Sequence, residues 1–231
     1  MNFFIDSLKL IISFDPDLYE IIGLSLKVSF TALILSCSIG LPVSGLLSST
    51  NFYGKKALII FFNSMMALPP VFVGLILYLL FSKTGPLGFF NLLYTPYIMV
   101  IAQVIIILPV IISVSTELLE QIFKEYKETF DSFNVSLLDR IKTTVFDARI
   151  SLITCILTGL GRALSEVGAI IIVGGNIIHY TRVMTTTIAL ETSKGNLEVA
   201  MSLGIVLILI SIGVNAIVMI MKMIAKKYSY D

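Results

Sequence analysis

Arg162 and Glu166 are ionisable residues inside a run, Ile150 to Val173, that is otherwise apolar or small. The chemistry open to a guanidinium and a carboxylate four residues apart is electrostatic. On a helix they meet at i,i+4, and pairing offsets insertion costs of about 2.5–3.5 kcal/mol for each charge at a membrane-helix centre. Two readings stay open. Either Arg162 faces a pathway and attracts a passing anion, or the pair pins this helix against a neighbour or a second copy of the chain. Ser165 and Thr158, with Gly159, Gly161 and Gly168, form a small-residue face that permits close helix approach. A conduit must release its cargo, which argues against a tight arginine clamp. Catalytic patterns are missing: there is no G-x-x-x-x-G-K-[ST], no H-E-x-x-H and no nucleophile elbow. His179 is the only histidine and has no Cys, Asp or Glu at ligand spacing in the sequence, so no metal site is expected. Energy for any transport must come from another polypeptide or from an ion gradient.

The elements that position these residues are membrane helices. The chain has 231 residues, 57% hydrophobic and 13% charged, against about 25% charged in a soluble domain. The expectation is an all-α membrane protein with about five spans: Lys27–Leu47, Ala57–Phe81, Tyr97–Ser115, Ile150–Val173 and Val199–Ile224. With the N-terminus outside and the C-terminus inside, the inner flanks receive Lys55, Lys56, Lys124, Lys127, Arg140, Lys142, Arg149, Lys222, Lys226 and Lys227. The outer flanks keep Lys9, Lys83, Arg182 and Lys194, and that bias sets the orientation. Residues 1–18 read as an amphipathic interfacial segment, with Phe3, Phe4, Leu8, Ile11 and Ile12 on its apolar side. No signal peptide, disulfide or nucleic-acid-binding patch is indicated. The lack of an internal repeat weakens a secondary-transporter reading. Pro42, Pro69-Pro70 and Pro109 interrupt helix ladders. Pro69 and Pro70, two successive lost donors, are expected to shape a gate. Gly174-Gly175-Asn176 is either a backbone nest for an oxyanion or a helix end followed by a turn.

Between Thr116 and Arg149 the chain turns polar. Ile122, Phe123, Tyr126, Phe130 and Phe133 share one helical face, and Lys124, Glu125, Lys127, Glu128 and Asp131 the other. Asn134 suits a left-handed helix end. Ser136 with Asp139 resembles a capping box that starts a second helix, whose apolar stripe is Leu137, Leu138, Ile141, Val145 and Ala148. Helix, sharp turn, helix along the inner membrane surface is a shape suited to docking a partner.

The segment Glu128-Thr-Phe-Asp-Ser-Phe-Asn134 resembles the E-A-A-x-x-x-G loop of binding-protein-dependent ABC import permeases, with Asn134 in place of the glycine. The family's downstream I-x-L-P reads Thr144-Val145-Phe146-Asp147 here. Gly161-Arg-Ala-Leu-Ser-Glu166-Val-Gly-Ala, running on to Gly175-Asn176, resembles the R-A-x-[GS]-E-x-G-A…G-N signature of molybdate, sulfate and tungstate permeases. Ala67-Leu-Pro-Pro-Val-Phe-Val-Gly74 and Tyr180-Thr-Arg-Val-Met-Thr-Thr resemble the tungstate branch. The resemblance implies a type I ABC importer permease of a prokaryotic cell membrane, with residues 19–226 as its transmembrane domain and loop 116–149 coupled to an ATPase. It implies coupling roles for Tyr126, Glu128, Phe130, Asp131, Asn134, Ser136, Asp139 and Arg140, and pathway or gate roles for Pro69, Pro70, Arg162, Ser165 and Glu166. ATP and Mg would be used by the partner and no cofactor bound by this chain. The implied assembly is a permease homodimer, two ATPase subunits and an extracytoplasmic oxyanion-binding protein. Tungstate is the first expectation for the cargo, molybdate or sulfate the alternative, and an ion-coupled secondary transporter the alternative of another class.

Overall fold

The computed structural model describes residues 2–227, with side chains from 7 to 220 and at Met223. Phe3, Phe4, Lys222, Lys226 and Lys227, used in the sequence reading, lie outside the described side chains. Ten α-helices follow in order: α1 (Asn2–Ile12), α2 (Pro16–Ser49), α3 (Lys55–Met65), α4 (Pro70–Phe81), α5 (Pro96–Ser132), α6 (Leu137–Asp147), α7 (Arg149–Leu164), α8 (Gly168–Gly174), α9 (Met184–Ser193) and α10 (Leu197–Lys227). Three of these are long and apolar enough to cross a membrane, α2, α5 and the 197–220 part of α10. The count rises to five if the bent pairs α3–α4 and α6–α7 are each one span.

Local chemistry sets the helix starts. Asp15 accepts a hydrogen bond from the Leu18 N–H at 3.0 Å, and Pro16 occupies the first helical position, where an N–H would have no partner anyway. The helix that follows has 34 residues, roughly 51 Å at 1.5 Å per residue. It overruns the expected span at its N-terminal side. The α1 segment, expected to be amphipathic and interfacial, packs on α10. Ser7 Oγ of α1 donates to Glu198 O at 3.0 Å, Ser202 Oγ donates back to Ser7 O at 3.2 Å, and Leu10 and Ile11 join Leu18, Ile22, Met184 and Leu203 in one apolar cluster.

Two expected spans are broken, the first for an identifiable reason. Pro69 is extended and Pro70 opens α4, so the expected span 57–81 becomes two helices bent by 96°. Two consecutive prolines remove two donors, and each disfavours a helical residue before it. The expected span 150–173 stops at Leu164 and restarts as the short α8. By contrast, Pro42 and Pro109 sit inside unbroken α2 and α5. The third span does not end at Ser115 either; α5 runs 37 residues in all, to Ser132 in the polar segment.

The bundle core forms where α2 and α7 close on α5. Ala32 and Leu33 meet Ile107 and Ile111, with Leu160, Ala163 and Leu164 completing the cluster. Glycines bring the backbones together. A Cβ on Gly40 would lie 2.8 Å from Ile111 Cγ2, and one on Gly159 would lie 2.6 Å from Ile111 Cδ1. A Cβ on Gly74 of α4 would meet Ala169 Cα of α8 at 2.9 Å. Outward, α10 exposes Ile208, Leu209, Ile212, Ile217, Met219 and Ile220.

Candidate functional site

The α5–α6 corner has the local structure that the residue types dictate. Asn134 takes φ +47°, a left-handed value, at the end of α5. Val135 N–H reaches back to Phe130 O at 3.0 Å and Asn134 N–H to Asp131 O at 3.3 Å, the paired closure that a left-handed helix end allows. Ser136 caps α6: its Oγ accepts from the Asp139 N–H at 3.3 Å and donates to the Asp139 carboxylate at 2.6 Å. Thr144, buried inside α6, donates to Arg140 O at 2.8 Å.

The expected coupling residues divide between inward and outward roles. Phe130 is buried at 5% exposure, with the rings of Tyr126 and Phe123 at 5.7 and 5.9 Å and the Arg140 guanidinium at 5.8 Å. Arg140 ties the corner with bonds to Asp131, Val135 and Phe130. Tyr126 faces Asp147, whose carboxylate takes its hydrogen bond and pushes the phenol above its ordinary range. Glu128 is exposed. The apolar stripe expected on α6 splits: Ala148 is buried and Ile141 and Val145 are half-buried, Ile141 lying against Gly45 of α2. Leu137 and Leu138 stay exposed, as do Phe133 at 77% and Phe146 at 63%. Phe146, with the Arg149 guanidinium 4.1 Å above its ring, was missed as an outward residue although it stands in the first-read I-x-L-P position.

Within the bilayer-length part, the expected Arg162–Glu166 pair does not form. The α7 helix ends at Leu164, so the two residues no longer stand one turn apart on a common helix. Glu166 is buried, and its carboxylate accepts the Ala169 N–H at 3.1 Å, capping α8, while Thr185 Oγ1 donates to Glu166 O at 2.7 Å. Among the described residues Arg162 makes no ion pair. It lies half-buried at the end of a polar line along α7: Ser151, Thr154, Thr158, Arg162 and Ser165, three or four residues apart, the others exposed. That spacing was legible but unread for Ser151 and Thr154. Gly159 and Gly168 do allow close approach, to Ile111 and Val71, whereas Gly161 has nothing within 4 Å.

Gln103 was also missed. It is buried in α5 at 2% exposure and donates from Nε2 to Ala163 O at 3.0 Å, satisfying a carbonyl in the last turn of α7. Its Oε1 has no partner, and with Ser29 and Glu166 it lines a small cavity beside the α7–α8 break. A lone amide in the apolar span Tyr97–Ser115 was the available signal.

Gly174-Gly175-Asn176 is a helix end. Gly175 takes φ +70°, its N–H bonds to Ile171 O at 3.0 Å, and Asn176 Oδ1 accepts from Thr186 Oγ1 at 2.9 Å. Beyond it the fold brings carboxylates to His179 that the sequence leaves far away. Nδ1 lies 2.7 Å from Glu20 Oε2, with Asp17 in the same exposed group. The Glu20 carboxylate accepts from the imidazole and stabilises its charged form, so the His179 pKa is raised above its ordinary value.

No family-level sequence model matches the chain. Individual relatives do. A protein described as an anion ABC transporter permease, from Haloferax volcanii, is 38% identical over 205 residues, covering 87% of this chain and 88% of its own. The tungstate uptake system permease protein TupB of Peptoclostridium acidaminophilum is 37% identical over 212 residues, 92% of this chain and 93% of its own. TupB of Campylobacter jejuni is 36% identical over 214 residues, 93% and 90%. Identity at this level along almost the whole sequence shows the family, and the chain belongs to the membrane-embedded permease subunits of ABC transporters for anion uptake.

Proposed function

We propose that this chain carries an oxyanion, tungstate, across the membrane, driven by ATP hydrolysis in a partner subunit seated on the α5–α6 corner. The observation that carries the docking is the corner itself. Its turn is tied by backbone bonds across Asn134, and it leaves Phe133, Leu137, Leu138 and Phe146 exposed. Exposed large apolar side chains on a rigid edge favour a protein partner. Tungstate is supported by the names of the two TupB relatives; sulfate and molybdate are the competing cargoes.

In this reading residues 116–149 form the coupling loop of a permease domain spanning 19–226, with the N-terminal segment at the outer surface and the C-terminus inside. Glu128 sits on the outward face of the loop and faces the ATPase. Two copies of the chain pair, because the polar line from Ser151 to Ser165 is open to lipid in a single copy and is covered, or made into a wet route, by a second one. Arg162, without an ion pair among the described residues, then offers a positive charge to a dianion in transit. The bent α3–α4 pair, hinged at Pro69 and Pro70, lines the gate. An extracytoplasmic binding protein delivers the cargo.

The test is reconstitution in liposomes with the ATPase and binding protein. Tungstate should stimulate ATP hydrolysis and accumulate inside, with molybdate and sulfate as comparisons. Accumulation without an ATPase, driven by an ion gradient, would reject the reading in favour of a secondary transporter.

A further inference from the structure

One guanidinium braces the α5–α6 corner from both arms. Arg140, in the first turn of α6, donates from Nε to Val135 O at 2.8 Å, from Nη2 to Phe130 O at 3.2 Å and from Nη1 to the Asp131 carboxylate at 2.7 Å. Phe130 and Asp131 lie in the last turn of α5, and Val135 follows its left-handed end. All three acceptors belong to this chain, and the Arg140 side chain is only 21% exposed. Arginine presents five donors in a rigid planar fork, and lysine is a single flexible point charge. Only the first can hold two carbonyls and a carboxylate in one arrangement.

The three bonds differ in weight. Asp131 is about half exposed at 54%, and exposed ion pairs contribute little. The bonds to Phe130 O and Val135 O are the ones that define the angle, because they tie α6 to the backbone of the last turn of α5 and of the turn between the helices, Phe133 to Ser136. A cation there also complements the negative end of the α5 dipole.

Resting on the reading that the ATPase docks on this corner, we propose that Arg140 is a positioning residue for coupling. It makes α5 and α6 one rigid body. Movement imposed on α6 then reaches the apolar part of α5, and is not absorbed by bending between Phe133 and Ser136. Loss of this brace uncouples hydrolysis from transport without releasing the ATPase.

The experiment uses the full chain in liposomes with both partners, as wild type, Arg140→Lys, Arg140→Met, Asp131→Asn and the exchanged pair Asp131→Arg with Arg140→Asp. It reads retained ATPase, KM and kcat for tungstate uptake, ATP hydrolysed per tungstate accumulated, and the distance distribution between spin labels at the exposed positions 127 and 142. Arg140→Lys and Arg140→Met should keep the ATPase and the KM. They should broaden the distance distribution and raise ATP consumed per tungstate roughly tenfold, within the range of allosteric coupling energies. Asp131→Asn removes only the exposed ion pair and should raise the ratio less than Arg140→Lys does. The exchanged pair restores opposite charges but not the backbone bonds, so it should not rescue coupling. An unchanged ATP-to-tungstate ratio in Arg140→Lys, with the ATPase still bound, overturns the proposal. A wild-type chain that retains no ATPase rejects the docking reading instead.

Discussion

Phe130 and Phe133 are the same residue type three positions apart, and the corner predicts opposite outcomes for truncating them. Phe130 is 5% exposed beneath the Arg140 guanidinium and beside the rings of Phe123 and Tyr126, while Phe133 is 77% exposed. Phe-to-Ala changes in cores cost about 3–5 kcal/mol. The corner lies at the edge of the bundle and can partly collapse, so the lower figure of about 3 kcal/mol applies to Phe130→Ala. The loss is local. It lowers the free energy for opening the turn, and at about 1.4 kcal/mol per tenfold it raises amide exchange roughly 100-fold. Phe133→Ala removes no packed neighbour and should change stability by less than about 0.5 kcal/mol. The assay is hydrogen exchange with mass spectrometry on the chain in nanodiscs, following peptides across 130–148. In the same preparations ATPase binding should weaken for Phe133→Ala with exchange unchanged. Equal exchange for the two variants, or faster exchange for Phe133→Ala, would refute the packing argument.

Three further outcomes follow from other parts of the fold. Gly159→Val places its first carbon 2.6 Å from Ile111 Cδ1; it should lower thermal stability in detergent by about 1–3 kcal/mol, and Ile111→Val should restore part of that loss. The His179–Glu20 tie titrates with a defined sign. Because the folded pKa is raised, chiefly by the Glu20 hydrogen bond and charge with help from Asp17 and opposition from Arg182, its contribution is complete below the ordinary histidine value. That contribution is lost as pH climbs through the raised value. Exchange in the 175–183 loop, corrected for intrinsic rates, should therefore increase as pH climbs past the ordinary histidine value, and His179→Gln should remove that dependence. Arg162→Met should slow tungstate uptake while leaving unfolding temperature within error, and Glu166→Ala should lower the unfolding temperature by removing the Ala169 cap; equal destabilisation by both changes would restore the ion-pair reading.

Legibility followed the range of the interactions. The corner could be read because Asn134, Ser136 and Asp139 act within six residues, each on backbone a few positions away. Its outward face could be read only in part, since Leu137 and Ile141 are alike in sequence and only packing against Gly45 separates them. The break after Leu164 was hidden. An apolar run looks the same as one helix or two, and the cap from Glu166 to Ala169 becomes visible only once the helix has stopped. Pro69-Pro70 announced an interruption but not an angle of 96°. Contacts such as Gln103 with Ala163, or Glu20 with His179 across 159 positions, leave no periodic trace. The expectation of an ATPase and a binding protein as partners came from the family resemblance, which one chain's periodicity does not supply.

Ile111 sits with one methyl against Gly40 and another against Gly159, a fully enclosed knob between two bare backbone notches on α2 and α7. Such a joint has a kinematic consequence. Helices flanking a single knob can tilt about it with little steric penalty, but sliding them lengthwise drives a side-chain-bearing position onto it. At the level of Ile111 a small tilt of α2 or α7 on α5 is therefore easier than a lengthwise slide.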